Sequence, residues 1–222
     1  MKHWVVFPAA DPNRGWACAK KWIDRGFQAL VLVDNPLWIH TSEMSFHLMQ
    51  GPSVFPGYYK VANAITMEAF KRGAELVTCI GDDMLPDPTR TADDIQVMYF
   101  KRFPNGEGVL QATGDEQGEK INGEWNSQRI CGSPTFGRGW YETGYKEIGG
   151  FCSQYRSFYG DEDLLNVAKK RGVLWQEPSI KIDHVHWAFG RAVKQTYHDA
   201  AQKNWEADQK VFFERKAAGF SE

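Results

Sequence analysis

Apolar positions along the chain fall into short unbroken runs separated by longer stretches with helical spacing. "HWVVFPAA" is the first run and reads as a buried strand. "DPNRGWACAKKWIDRG" comes next as a helix: Asp11 can cap it, Pro12 suits its first turn, and Gly26 closes it. Trp16, Ala19, Trp22 and Ile23 share its apolar face. "FQALVLVDN" is a second strand, and "YYKVANAITMEAFKRG" a second helix that stops at Gly73. A third run, Leu76 to Ile80, then ends abruptly at Gly81. Near-continuous apolar strands that alternate with helices predict a parallel sheet covered on both faces.

The second half is less regular. "TADDIQVMYFKRF" predicts a third helix and "GVLQATGD" a strand, while residues 114–133 read as a long loop or hairpin. "PTFGRGWYETGYKEIGGF" reads as a connector rich in glycine and aromatic residues. "DEDLLNVAKKRG" is a helix with Leu164, Leu165, Val167 and Ala168 on its apolar face and three basic residues at its end. "VLWQEPSIKIDHVHW" supplies one or two further strands, and from about Gly190 an amphipathic helical tail begins. The expected organisation is an α/β domain over 1–189 and a helical extension over 190–222, a mixed but mainly parallel sheet flanked by helices.

Composition narrows the partners. The 26 basic and 28 acidic residues imply no broad cationic face, which argues against gripping nucleic acid as the main task and leaves a local basic patch open. No apolar run reaches the roughly 18 residues of a membrane helix, so no membrane insertion is expected. The apolar segment at the start is too short for a signal peptide. Four scattered cysteines without a CxxC pair fit reduced thiols in a cytoplasmic protein and make a cysteine-ligated zinc site a poor fit.

Three acidic or histidine clusters could carry chemistry. The second strand ends in Asp34 and the third in Asp82 and Asp83, and open sheets of this kind bind ligands beyond the carboxyl ends of their strands. Adjacent carboxylates repel unless a positive charge joins them, and Mg²⁺ or Mn²⁺ bridging to phosphate oxygens would do so. An Asp-rich turn, with Asp87 between two prolines, is the other reading. Asp161, Glu162 and Asp163 open a helix. They suit capping and the helix dipole, and one of them could act as general base toward a hydroxyl. His184 and His186 alternate along an expected strand, so only one faces a given cleft, as a metal ligand or as a hydrogen-bonded structural histidine.

The order of these clusters resembles glycosyltransferases of the GT-A fold, with a galactosyltransferase-like carboxyl-terminal half. The resemblance runs from about residue 4 to 187 and is weak over 36–55 and 104–130. "LVLVDN" looks like the strand whose terminal acid contacts the nucleotide base, and "YKVANAITMEAF" is similar to the helix with an "ARN" pattern. "CIGDDMLPDP" resembles the metal-binding DXD segment, and "EIGGFCSQYRSFYGDEDLL" the acceptor segment that carries the base. "IKIDHVHW" matches the position of a histidine that completes the metal shell.

The resemblance implies a nucleotide-sugar half over about 1–100 and an acceptor half over about 101–189. It implies a nucleotide-sugar donor, most often a UDP-sugar, an Mn²⁺ or Mg²⁺ cofactor, and transfer to a hydroxyl with inversion. Pro8, Ala9, Ala10 and Asp34 would hold the base, Lys60 and Asn63 the ribose or phosphates, and Asp82 the sugar or ribose. Asp83 with His184 or His186 would hold the metal. Asp161 best matches the base position, with Asp163 next and Glu162 between them. Two departures stand out: Gly81 occupies the place of the first DXD acid, and "GDEDL" replaces the common "EDxDL". The acceptor stays open among a small glycan, a protein and a hydroxylated DNA base. Two rival readings are a nucleotidyltransferase, for which "FPAADPNRG" supplies Arg14 but no glycine cluster, and a relative that binds a nucleotide or glycan without turnover.

Overall fold

The computed structural model describes residues 2–33, 47–51, 55–115 and 120–221. The first half runs β1 (His3–Ala9), α1 (Pro12–Ile23), β2 (Gln28–Val33), β3 (His47–Gln50), α2 (Tyr58–Lys71), β4 (Leu76–Cys79), β5 (Met84–Leu85) and α3 (Ala92–Arg102). The second half runs β6 (Val109–Ala112), α4 (Asn126–Arg129), β7 (Thr135–Gly137), α5 (Arg138–Thr143), α6 (Gly160–Lys170), β8 (Leu174–Glu177) and β9 (Asp183–His184). A 3₁₀ turn (Trp187–Phe189), α7 (Thr196–Gln202) and α8 (Trp205–Ala217) complete the chain. No helix among the described residues is long and apolar enough to cross a membrane.

The fold is the expected Rossmann-like α/β arrangement. Seven strands form one sheet in the order β3-β2-β1-β4-β7-β6-β8, parallel except for β7, which runs against both neighbours. Alternation along each strand divides the core between the faces. Trp4, Val6, Leu30, Leu32, Val77 and Cys79 pack on the side of α2, α6 and α8. Val5, Phe7, Val31, Val33, Leu76 and Ile80 pack on the side of α1 and α3. The chain winds outward from β1 to β3 and then returns to place β4 on the other side of β1. That reversal makes the carboxyl ends of β1 and β4 a topological switch point, the place where open α/β sheets leave a crevice for ligands.

Some elements were not visible in the pattern. β7 lies within the expected connector and is only three residues long, too short to show a period. It is nevertheless central, pairing with β4 and β6, and Phe136 is fully buried. The 114–133 region holds the single turn α4 and a bridge between Ile121 and Glu124. The residues after 190 include the helices α7 and α8, and α8 is built into the core: Phe212 and Asp208 are buried.

One buried polar network ties the sheet to α3. His3 is fully buried, with Nδ1 3.2 Å from the Ala92 carbonyl and Nε2 2.8 Å from the Thr78 hydroxyl. Thr78 in turn lies 2.7 Å from the Thr135 hydroxyl. A neutral imidazole satisfies this chain by donating from Nδ1 and accepting at Nε2. Burial pushes the His3 pKa from 6.5 down to about 3. The unfolded chain therefore binds a proton below about 6.5 that the folded chain refuses until near 3, so stability falls as pH drops through that window. At pH 5 the loss from this residue is about 2 kcal/mol relative to pH 7. Urea unfolding at the two pH values should show it, and His3→Gln should flatten the difference while lowering stability at pH 7.

Candidate active site

β4 ends at Cys79, and the chain leaves the sheet through Ile80 and Gly81 before presenting Asp82 and Asp83. The two-stranded ribbon of β5 and β9 then fixes the path of the backbone, pairing Met84 with His184 and Leu85 with Asp183. The Val185 N–H donates to the Asp83 carbonyl at 2.8 Å. α1 holds this ribbon from behind, since the Trp22 indole N–H donates to the Met84 carbonyl at 2.9 Å. The Asp83 carboxylate consequently lies 3.4 Å from His184 Nε2. A Cβ on residue 81 would sit 2.6 Å from Asp83 Oδ1. A side chain at position 81 would therefore require the Asp83 carboxylate to shift.

His186 corrects an expectation. Strict alternation would turn it away from His184, but β9 ends at His184 and His186 caps the 3₁₀ turn, where its Nδ1 accepts from the Ala188 N–H. The two rings come 4.9 Å apart, centroid to centroid. One ligand atom each from Asp83, His184 and His186 lies within 4.8 Å of the others. His198 of α7, which the sequence did not single out, brings its ring to 5.2 Å from His186. Burial and the charge of His184 push the His186 pKa down to about 4, which leaves it neutral near pH 7. Burial works against the charge on Asp83, yet the hydrogen bond and charge of His184 bring its pKa below the usual carboxylate value.

Asp82 forms an ion pair with Arg14, from the first turn of α1. Burial raises its pKa to about 6 despite Arg14. Arg14 is a functional candidate that the sequence suggested only through its place after the first strand. Pairing between β1 and β4 ends at Val6 and Cys79, while Pro8 and Ala9 continue β1 against Leu32 and Val33 and Ala10 follows, at the same edge of the sheet as Gly81 to Asp83. Asp34 lies outside the described residues.

The start of α6 approaches from the far side of the sheet. Asp161 is half-buried, and the Tyr59 hydroxyl donates to its Oδ1 at 3.3 Å. The Glu162 N–H also donates to that oxygen, at 3.0 Å. Burial raises the Asp161 pKa above the usual value; these donors and the charge of His184 pull against it. The phenol of Tyr58, bonded to the Ile80 carbonyl, feels the charges of Asp82, Asp83 and Asp161 alike, so the three acids share one neighbourhood. Glu162 is half-buried beside Asp161, and the charges of Arg129 and Lys216 reach it.

Two other expectations, for Asp163 and Asn63, fail on geometry. Asp163 is fully buried in a hydrogen-bonded ion pair with Arg215 at 2.6 Å and accepts from the hydroxyls of Tyr145 and Tyr155. It anchors α6 to α8 and has no access to a substrate. Asn63 donates to the Phe151 carbonyl at 2.8 Å and accepts from the Phe151 N–H at 3.0 Å, so its amide is committed to a backbone clamp and not to a ribose. Lys60 is exposed on α2, where its ammonium is open to solvent.

No known family profile matches the chain, and no curated protein does. Similar solved structures exist. The protein A197 from STIV shares 12% identity at a TM-score of 0.48, over 83% of this chain and 85% of that one. The bifunctional IspDF from Campylobacter jejuni shares 11% at 0.42, over 80% of this chain and 49% of that one. A 4-diphosphocytidyl-2C-methyl-D-erythritol synthase shares 13% at 0.44, over 91% and 97%. None of the three is named as a glycosyltransferase.

The donor set at the crevice suits a divalent cation. One carboxylate and two imidazoles match the borderline transition ions better than Mg²⁺, which favours an all-oxygen shell. Three protein ligands would leave coordination positions open for substrate oxygens on such an ion. Beside His184 a cavity of about 30 Å³, walled in part by Gln111, Asp115, Ser127 and Ser133, has room for a water or one hydroxyl group.

Proposed function

We propose that the chain transfers a glycosyl group from a nucleoside-diphosphate sugar, most simply a UDP-sugar, to a hydroxyl acceptor in a reaction that depends on a divalent cation. The observation that carries this reading is the meeting of Asp83, His184 and His186 within 4.8 Å at the carboxyl edge of β4. These three residues would hold the cation, with Mn²⁺ preferred to Mg²⁺. When bound, the cation would supply Lewis-acid neutralisation of the charge that develops on the leaving diphosphate. Arg14 adds a second positive group at the same edge.

Asp161 takes the proton of the acceptor hydroxyl as that oxygen attacks the anomeric carbon. The bond from that carbon to the diphosphate oxygen breaks, and the nucleoside diphosphate leaves with the electron pair. A single displacement of this kind inverts the anomeric centre. Burial strengthens Asp161 as a base by raising its pKa, and Tyr59 fixes the direction of its carboxylate. The acceptor is a small glycan, a protein side chain or a hydroxylated DNA base, classes that share the attacking hydroxyl.

The test is a panel of nucleotide sugars with Mn²⁺, Mg²⁺ or chelator, with release of nucleoside diphosphate as the readout. Release should be fastest with Mn²⁺ and abolished by chelation. Silence with every donor, together with no thermal stabilisation by any, would overturn the reading. Stabilisation without release would favour a binding protein.

A second reading, nucleotidyl transfer, is favoured by one observation: Arg14, in the segment after β1, reaches the acidic pair. The same panel, extended to nucleoside triphosphates, separates the two. Pyrophosphate as the product would mean nucleotidyl transfer, and nucleoside diphosphate would mean glycosyl transfer.

A further inference from the structure

The segment 156–159 leads into α6 and places Asp161, yet α6 has no capping side chain of its own: Tyr159 precedes it in a left-handed conformation, φ 64°. A bulky residue adopts that backbone only when its surroundings impose it. Those surroundings are two other helices. From α8, the buried Asp208 accepts three consecutive backbone N–H groups. Its Oδ1 accepts from Arg156 at 2.9 Å, and its Oδ2 from Ser157 at 2.8 Å and Phe158 at 2.9 Å. Asn204 donates to the Ser157 hydroxyl at 3.0 Å and Gln209 to the Tyr159 hydroxyl at 2.9 Å. The Tyr159 ring stacks on Phe212 at 5.1 Å.

From α2, the Tyr58 N–H donates to the Arg156 carbonyl at 2.6 Å. Gly57, at φ 111°, lets the backbones close: a Cβ there would sit 2.7 Å from the Arg156 carbonyl oxygen. The next residue of α2 is Tyr59, whose hydroxyl accepts from the Asp161 N–H at 3.2 Å and donates to the Asp161 carboxylate. The strap is therefore gripped from both sides, and the grip from α2 continues directly into the Asp161 carboxylate.

We infer that Asp208 is a positioning residue for Asp161: by holding the 156–158 amides it sets where α6 begins and so where the Asp161 carboxylate lies against Tyr59. A carboxylate that takes up three successive N–H groups fixes a backbone more firmly than a neutral side chain, because charge-assisted bonds are shorter and stronger. The helical segment after residue 190 then belongs to the machinery of the site. The inference rests on the reading of Asp161 as general base.

The experiment uses the full chain with Mn²⁺ and UDP-sugar donors, reading UDP release, Mn²⁺ affinity by titration, and amide hydrogen exchange. Asp208→Asn, which keeps the shape and one acceptor oxygen, should lower kcat about tenfold, with donor KM and Mn²⁺ affinity within about twofold. Asp208→Ala should lower kcat further. Asp161→Asn combined with Asp208→Asn should be no slower than Asp161→Asn alone, because a residue acting through another adds nothing once that other is gone. Independently of turnover, exchange in Asp208→Asn should rise at the Asp161 and Glu162 amides as well as at 156–158. Wild-type kcat in Asp208→Asn, multiplying losses in the double variant, or exchange confined to 156–158 would overturn the inference. A slow Asp161→Asn beside a normal Asp208→Asn removes the positioning role alone, and a normal Asp161→Asn removes the base assignment and the positioning role with it.

Discussion

Asp83→Ala is expected to lower Mn²⁺-dependent turnover by about 10³-fold, on the order of 4 kcal/mol of transition-state stabilisation. The magnitude comes from its place. Asp83 is the only carboxylate in a cluster whose other members are the two imidazoles, and it brings the full negative charge that favours a dication. Its pKa lies below the usual carboxylate value, so it is ionised at any pH where turnover would be measured. Chelation of the wild-type protein should reach the same residual rate, and the variant should no longer respond to added metal. Linkage supplies a check that needs no activity: Mn²⁺ should raise the melting temperature of the wild type and leave that of the variant unmoved. Wild-type turnover in Asp83→Ala would remove the metal role from this residue.

Asp161→Asn is expected to lower kcat by about 10²- to 10⁴-fold, the usual contribution of a positioned general base, and to leave donor KM and Mn²⁺ affinity close to wild type. The pH dependence carries a sign. Burial raises the Asp161 pKa, so the basic form is lost as pH falls through a value above the ordinary carboxylate range. The acidic limb of the kcat profile should lie there in the wild type and vanish in the variant. Stability should move the other way. A carboxyl whose folded pKa is raised is held ionised at neutral pH at a cost to the folded state. The amide should therefore melt no lower than the wild type, a common trade between activity and stability at catalytic positions. A variant that turns over normally would move the base elsewhere, with half-buried Glu162 the neighbour to examine.

The framework was legible because its signals are local. β1, β2 and β4 are continuous apolar runs, buried on both faces, and α1 carries its own start signal in Asp11, whose carboxylate accepts from the Arg14 N–H at 2.9 Å. β7 was illegible: three residues cannot display a period, and its burial comes from strands distant in the chain. The acids at the end of β4 were legible as candidates because a buried strand that ends in carboxylates is unusual on its own. Among the acids that open α6, the resemblance put Asp161 first and Asp163 next, but only the fold shows how differently the two are surrounded. Asp163 is claimed by Arg215, 52 residues further on, while Asp161 faces Tyr59. Asn63 fits a motif by its neighbours in the chain, yet its amide is used up by Phe151.

The chain by itself determined an alternating α/β sheet and the edge at which Asp82 and Asp83 leave it, because apolar runs, caps and glycine stops act over a few residues. Only the tertiary structure decided which side chains meet there. The short β5–β9 ribbon sets Asp83 beside His184, and the end of β9 lets His186 turn inward against the alternation of a strand. Beyond a strand end the backbone has no period, so side-chain direction is set by contacts with residues that the sequence keeps far apart.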